Sequence, residues 1–222
     1  MSVIGPATFA FLTVFAGLFP IVNPPATSML FLALTQHGST EERHDLARRI
    51  AFYAFLILTT TLYFGAYMLA FFGVTLPVLR VAGGLVLATT GWRLLDAPRR
   101  SEIGIATTGH GPDLAQMAFY PLTMPLTTGP GTVAVSIALG TRPWERVGAA
   151  VVGSMLAIVV MCGLIYVCYF FSDRLRSALS EAGADALGRM FAFILICIGI
   201  QVLWTGFAEL WASLPPAAIN PE

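Results

Sequence analysis

The sequence predicts an all-α membrane protein: one domain over residues 1–222 whose six transmembrane helices form two inverted three-helix repeats. Three observations carry this. Apolar residues make up 57% of the chain and charged residues 11%, against about 45–50% and about 25% in a typical soluble domain. Six apolar segments remain when the chain is cut at its charges. The first and the fourth carry matching proline-rich interruptions.

The composition also excludes several classes. Net charge is zero and no basic stripe exists that could displace phosphate counterions, so nucleic acid is not a partner. Cys162, Cys168 and Cys197 lie in apolar runs without a CxxC pair, as packing thiols do, which excludes a disulfide scaffold. The first forty residues hold no Asp, Glu, Lys or Arg. A signal peptide needs a basic leading region, so this stretch is expected to stay as a membrane span.

The segments are 5–35, 50–72, 76–95, 114–141, 147–171 and 190–208, each reaching or nearly reaching the ~20 residues that cross a ~30 Å hydrocarbon core. The third is the weakest, because Arg80 and Arg93 bound its uncharged stretch; their stems can snorkel to the headgroups. With six crossings, one face holds nine arginines, Arg43, Arg48, Arg49, Arg93, Arg99, Arg100, Arg174, Arg176 and Arg189, and the other holds Arg80, Arg142 and Arg146. The arginine-rich face is expected in the cytoplasm, with both termini facing outward.

The interruptions read Phe19-Pro20-Ile21-Val22-Asn23-Pro24-Pro25 and Tyr120-Pro121-Leu122-Thr123-Met124-Pro125, an aromatic residue and two prolines four apart, repeated at an offset of 101 residues. Ala26-Thr27-Ser28 follows the first, and Thr127-Thr128-Gly129-Pro130-Gly131-Thr132 the second. The repeats run from about 1–105 and about 110–222; three spans in each force the second to insert upside down. Proline removes a backbone donor and pushes the preceding residue out of the α region. In hydrocarbon, backbone freed in this way survives only inside protein or beside a wet cavity. A simple kink accounts for one such span, not for a matched pair. Paired interrupted spans in inverted halves mark a transporter's substrate site.

The chemistry expected there is that of a helix start. Gly129, Gly131 and Thr132 at the head of a half-helix present N–H groups and a partial positive charge to a carboxylate, and Gly131 is expected to supply a positive φ or a close backbone approach. Asn23, Pro24, Thr27 and Ser28 form the counterpart, with Thr127 and Thr128 beside them, and unwound carbonyls take an ammonium. The set suits a small zwitterion without a charged side chain. Arg80 and Arg189, in corresponding places, are candidate gating residues. No Asp, Glu or His is central in any span, so no acidic side chain is expected to carry an essential coupling proton; Asp96, Asp113 and Glu209 read as solvated span ends. Gln201 reads as an interhelical hydrogen-bonding residue, and Gly83, Gly84 and Gly199 as close-packing positions. No Ser-His-Asp set, metal-spaced ligands or nucleotide loop appears, so neither an enzyme nor a cofactor or metal site is expected.

Leu18-Phe19-Pro20-Ile21-Val22-Asn23-Pro24, Arg80-Val81-Ala82-Gly83-Gly84 and Pro125-Leu126-Thr127-Thr128-Gly129-Pro130-Gly131 closely resemble the MarC family of bacterial and archaeal inner-membrane proteins. The resemblance extends over the whole chain; Asn-Pro-Pro stands here where many members have Asn-Pro and a small residue. It implies a transporter of small neutral amino acids such as glycine and alanine. The alternative is an efflux protein or channel for other small solutes or drugs. The bilayer and a small-molecule substrate are the expected partners; coupling to protons or another ion, and assembly into an oligomer, stay open.

Overall fold

The computed structural model describes residues 5–35, 38–96, 117–141, 147–174 and 181–214. These residues are helical, with no strand among them. The helices are α1 (Pro6–Val22), α2 (Pro24–Leu34), α3 (Thr40–Phe71), α4 (Leu76–Asp96), a wide-wound and broken α5 (Ala118–Thr127), α6 (Pro130–Gly140), α7 (Val147–Phe170) and α8 (Glu181–Ala212).

Four apolar stretches are long enough to cross a bilayer: Pro6–Leu32, Thr40–Phe71, Val147–Phe170 and Ala192–Ala212. The other two expected spans differ from this pattern. Segment 76–95 forms α4, 21 residues long but less apolar because it carries Arg80, Arg93 and Asp96. Segment 114–141 is divided, and its regular helix, α6, has 11 residues, about 16 Å at ~1.5 Å per residue. Asp113, Trp144 and the arginines at 99, 100, 142, 146 and 176 lie outside the described residues.

Each long helix buries one stripe. On α1 it is Ala10, Val14, Leu18 and Val22; on α3 it includes Ile50, Ala54, Leu58 and Leu62. Residues four apart stack along one helix face, so these stripes form a single seam. The remaining surface is apolar rather than charged: Phe64, Tyr67, Phe71, Val152, Phe193 and Trp204 are all more than 55% exposed. Such a surface is stable against lipid, not water.

α4 and α8 lie antiparallel in backbone contact. A Cβ on Gly91 would stand 2.8 Å from the Ala192 carbonyl oxygen, and one on Gly206 would stand 2.6 Å from that of Pro77. Gly84 and Gly199 face each other in the same way, each against the other's carbonyl. Small residues bring helices this close in hydrocarbon, where packing replaces the hydrophobic drive. The close-packing role expected for Gly84 and Gly199 is what the structure contains. Gly83 fills the expected role too, against Ala134 of α6. The pair is tied at both ends: Arg80 near the head of α4 bonds Glu209 near the tail of α8, and Arg189 of α8 donates to the Leu95 carbonyl of α4 at 3.3 Å.

At the head of α3, the Ser39 hydroxyl accepts from the Glu42 N–H at 3.2 Å and the Glu42 carboxylate accepts from the Ser39 N–H at 2.7 Å. This reciprocal cap satisfies donors that a helix start leaves open. The Ser39 backbone bond, then its hydroxyl, holds the Glu42 carboxyl below its usual 4.5. The bond from Arg49 lowers Asp45 likewise.

Two outcomes follow. Gly199→Val drives methyl groups into α4 backbone, and overpacking costs on the order of 3 kcal/mol at the upper end. The detergent-solubilised variant should therefore melt roughly 6–12 °C below wild type by differential scanning fluorimetry. Because the folded carboxyls at 42 and 45 titrate below their unfolded values, their stabilisation is complete above pH 4.5 and is lost as pH falls through the folded values. Melting temperature should decline on acidification below that point, and Glu42→Gln should flatten the decline; an unchanged profile in the variant contradicts the contribution of that carboxylate.

Candidate functional site

The first interruption falls at Asn23. This residue adopts the left-handed conformation (φ 44°, ψ 62°), closes α1 and opens α2. It is the one non-glycine with positive φ among the described residues. Asparagine tolerates that region because its short amide bonds locally: Oδ1 accepts from the Ala26 N–H at 3.4 Å. Pro24 and Pro25 then occupy the first turn of α2, where a missing N–H costs nothing. Pro20 departs from the expected break. It sits inside α1, which continues to Val22.

The second interruption is longer. Tyr120 and Met124, the residues before Pro121 and Pro125, are extended (φ −124°, ψ 124° and φ −116°, ψ 118°), as a following proline demands. Threonine hydroxyls take up carbonyls of the loosened turns: Thr123 donates to Ala118 O at 2.6 Å, Thr127 to Leu122 O at 2.7 Å and Thr128 to Thr123 O at 3.2 Å. α6 then starts at Pro130 with Gly129 extended before it and no side-chain cap. Helix starts thus lie at Pro24 and Pro130, not at the positions aligned by the sequence offset.

Between these interruptions runs a buried seam of hydroxyls. The Tyr169 hydroxyl of α7 lies 2.8 Å from that of Thr127. Phe31 of α2 stacks on the Tyr169 ring at 4.7 Å. Ser28, Thr127, Thr128 and Thr132 are at most 3% exposed. Thr27 donates to Asn23 O at 3.0 Å and Ser28 to Pro25 O at 2.7 Å. Deeper along α6, Ser136 lies 3.0 Å from the Thr61 hydroxyl of α3. No Asp, Glu, Arg or His is among the buried polar residues described here.

One expected role is corrected. Gly131 does not have a positive φ. A Cβ there would collide with the Leu87 side chain of α4, so its smallness makes room for a neighbouring helix. Arg80 and Arg189 are not in the seam; they tie the ends of the α4–α8 pair. Tyr169, Phe31, Thr123 and Ser136 belong to the seam without having been singled out. A signal existed for Ser136, four residues beyond Thr132 on the same helical face. Among the described residues no group of three or more His, Cys, Asp or Glu side chains could hold a metal ion.

The profile of MarC family integral membrane proteins matches residues 8–211. The chain belongs to the MarC family. Among MarC relatives, a protein of Archaeoglobus fulgidus named UPF0056 membrane protein is 30% identical over 214 residues, 96% of this chain and 99% of that one. The Escherichia coli protein named UPF0056 inner membrane protein MarC is 31% identical over 202 residues, covering 87% of this chain and 91% of its own. Its Salmonella typhimurium counterpart is 29% identical over 206 residues with the same coverage, 87% and 91%. No solved structure matches. This MarC protein is therefore a multi-pass membrane protein of inner-membrane type, built from the apolar helices described above.

Proposed function

We propose that the protein is a secondary transporter of small neutral amino acids, working by alternating access between two inverted halves of three spans. One observation carries this reading: two interrupted helices converge on a buried seam of hydroxyls, backbone groups and no formal charge. A net-neutral zwitterion is the solute such a seam suits, since an ion buried there would lack a charged partner. The carboxylate lies at the uncapped start of α6, where unpaired N–H groups and the helix dipole favour an anion. Thr128 and Thr132 assist, with Asn23, Pro24, Thr27, Ser28, Thr127, Gly129 and Gly131 shaping the site.

Supporting the two-half reading, α1–α2 and α5–α6 are each interrupted, while α3 and α7 follow as single long helices. α4 and α8 close each half, and the arginine near each head reaches the other's tail. Loop arginines orient the assembly with both termini outward. An alkaline phosphatase fused after Glu222 should be active; a bright cytoplasmic fluorescent fusion there would instead refute the outward-facing C-terminus.

Calorimetry on the purified protein tests the substrate. Losing a charge-assisted hydrogen bond costs about 1.5–3 kcal/mol, roughly ten- to a hundredfold in affinity. Glycine and alanine should bind, with glycinamide and ethylamine weaker by that factor, and Thr132→Val should weaken glycine about tenfold. Gly131→Val is a poor probe because its side chain meets Leu87. Equal affinity for glycine and glycinamide overturns the helix-start mechanism.

A further inference from the structure

The two ends of the α3–α7 pair are built differently. Where α6 stops, a cleft of about 140 Å³ opens between α3, α6 and α7, lined in part by Leu62, Tyr63, Gly140, Ala150, Val151 and Ser154. The Tyr63 hydroxyl lies 2.8 Å from Ser154 Oγ, and Ser154 donates onward to Ala150 O at 2.8 Å. The other end of the same helix pair holds Arg43, His44 and Ala47 of α3 and Phe170 of α7.

That end is filled. His44 stacks on Phe170 with ring centres 3.7 Å apart. Arg43 donates to Gly38 O at 2.7 Å and pairs with Asp173 at 3.1 Å, and Ala47 is fully buried. Larger side chains occupy one end where alanine and valine leave space at the other.

We propose that this cleft is the vestibule through which a small zwitterion enters from the outer face, the arginine–histidine layer being the plug at the inner face. The assignment rests on the transporter reading above. Size supports it: a cavity of about 150 Å³ takes one benzene-sized molecule, whereas drug-sized ligands need roughly 300–1,000 Å³. Glycine and alanine fit; a bulky drug does not. The named lining residues bear no formal charge, and the C-terminal end of α6 has the partial negative charge that draws an ammonium. Inward from Gly140, Ser136 and Thr132 follow at four-residue steps on α6, 0% and 3% exposed, so a line of hydroxyls leads from the cleft to the start of that helix.

Thiol labelling tests the proposal in the full chain with Cys162, Cys168 and Cys197 replaced by alanine. Ser154→Cys should react with a charged, impermeant methanethiosulfonate applied from the outer face at least about tenfold faster than Ala47→Cys does from the inner face, since attack needs access and an ionised thiol. Val151→His, which copies the plug residue into the cleft, should slow labelling of Ser154→Cys about tenfold. Elution as a single species in detergent establishes that each variant is folded. Reaction at 154 only from the inner face, or no faster than at 47, overturns the vestibule. Glycine binding with an unreactive Ser154→Cys removes the vestibule and leaves the transporter reading; a protein that binds no glycine overturns the transporter reading and the vestibule with it.

Discussion

A peptide group in hydrocarbon has no water to bond, and nearly everything distinctive here follows from meeting that condition where proline has removed the regular partner. The first interruption meets it with one residue. Asn23 turns the chain through the left-handed region and caps the next helix with its own amide. The second uses a ladder of threonine hydroxyls bonded to carbonyls five residues back. Both solutions place polar atoms deep in the bundle without placing a charge there.

That choice shapes the chemistry. A carboxylate or ammonium side chain in the seam would need a paired partner to offset its desolvation. Hydroxyls and backbone dipoles avoid that cost and still offer donors and acceptors. The charged residues that do tie helices together are held at helix ends: Arg43 with Asp173, and Arg80 with Glu209. The charged ties between helices and the uncharged seam are thereby kept apart in the molecule.

The helical class, the long apolar elements and the two interrupted regions were legible in the sequence, because apolar periodicity and proline are local signals. Positions within the interruptions were less so. Pro20 and Pro121 share a motif, yet Phe19 stays helical while Tyr120 becomes extended; a motif does not say which of two prolines the chain yields to. Tyr169 was hidden in an apolar run, since its partners Thr127 and Phe31 are distant in sequence and meet it only through packing. Gly131 shows the converse: a Gly-Pro-Gly run reads as a place for an unusual backbone angle, and only the position of Leu87 reveals that a helix packs against it.

The α4–α8 contact has a mechanical consequence. Where backbone touches backbone there are no side chains between the helices to switch rotamers and absorb a slip. Gly84 and Gly91 on one helix, and Gly199 and Gly206 on the other, are each seven residues apart. Sliding to the next register with glycine against backbone thus takes about 10 Å of travel, far beyond the 1–2 Å by which packed helices usually shift. The pair behaves as one strut. Any rocking of the molecule must hinge elsewhere, and the unwound backbone at Asn23 and at 128–129 is where the chain is already bent.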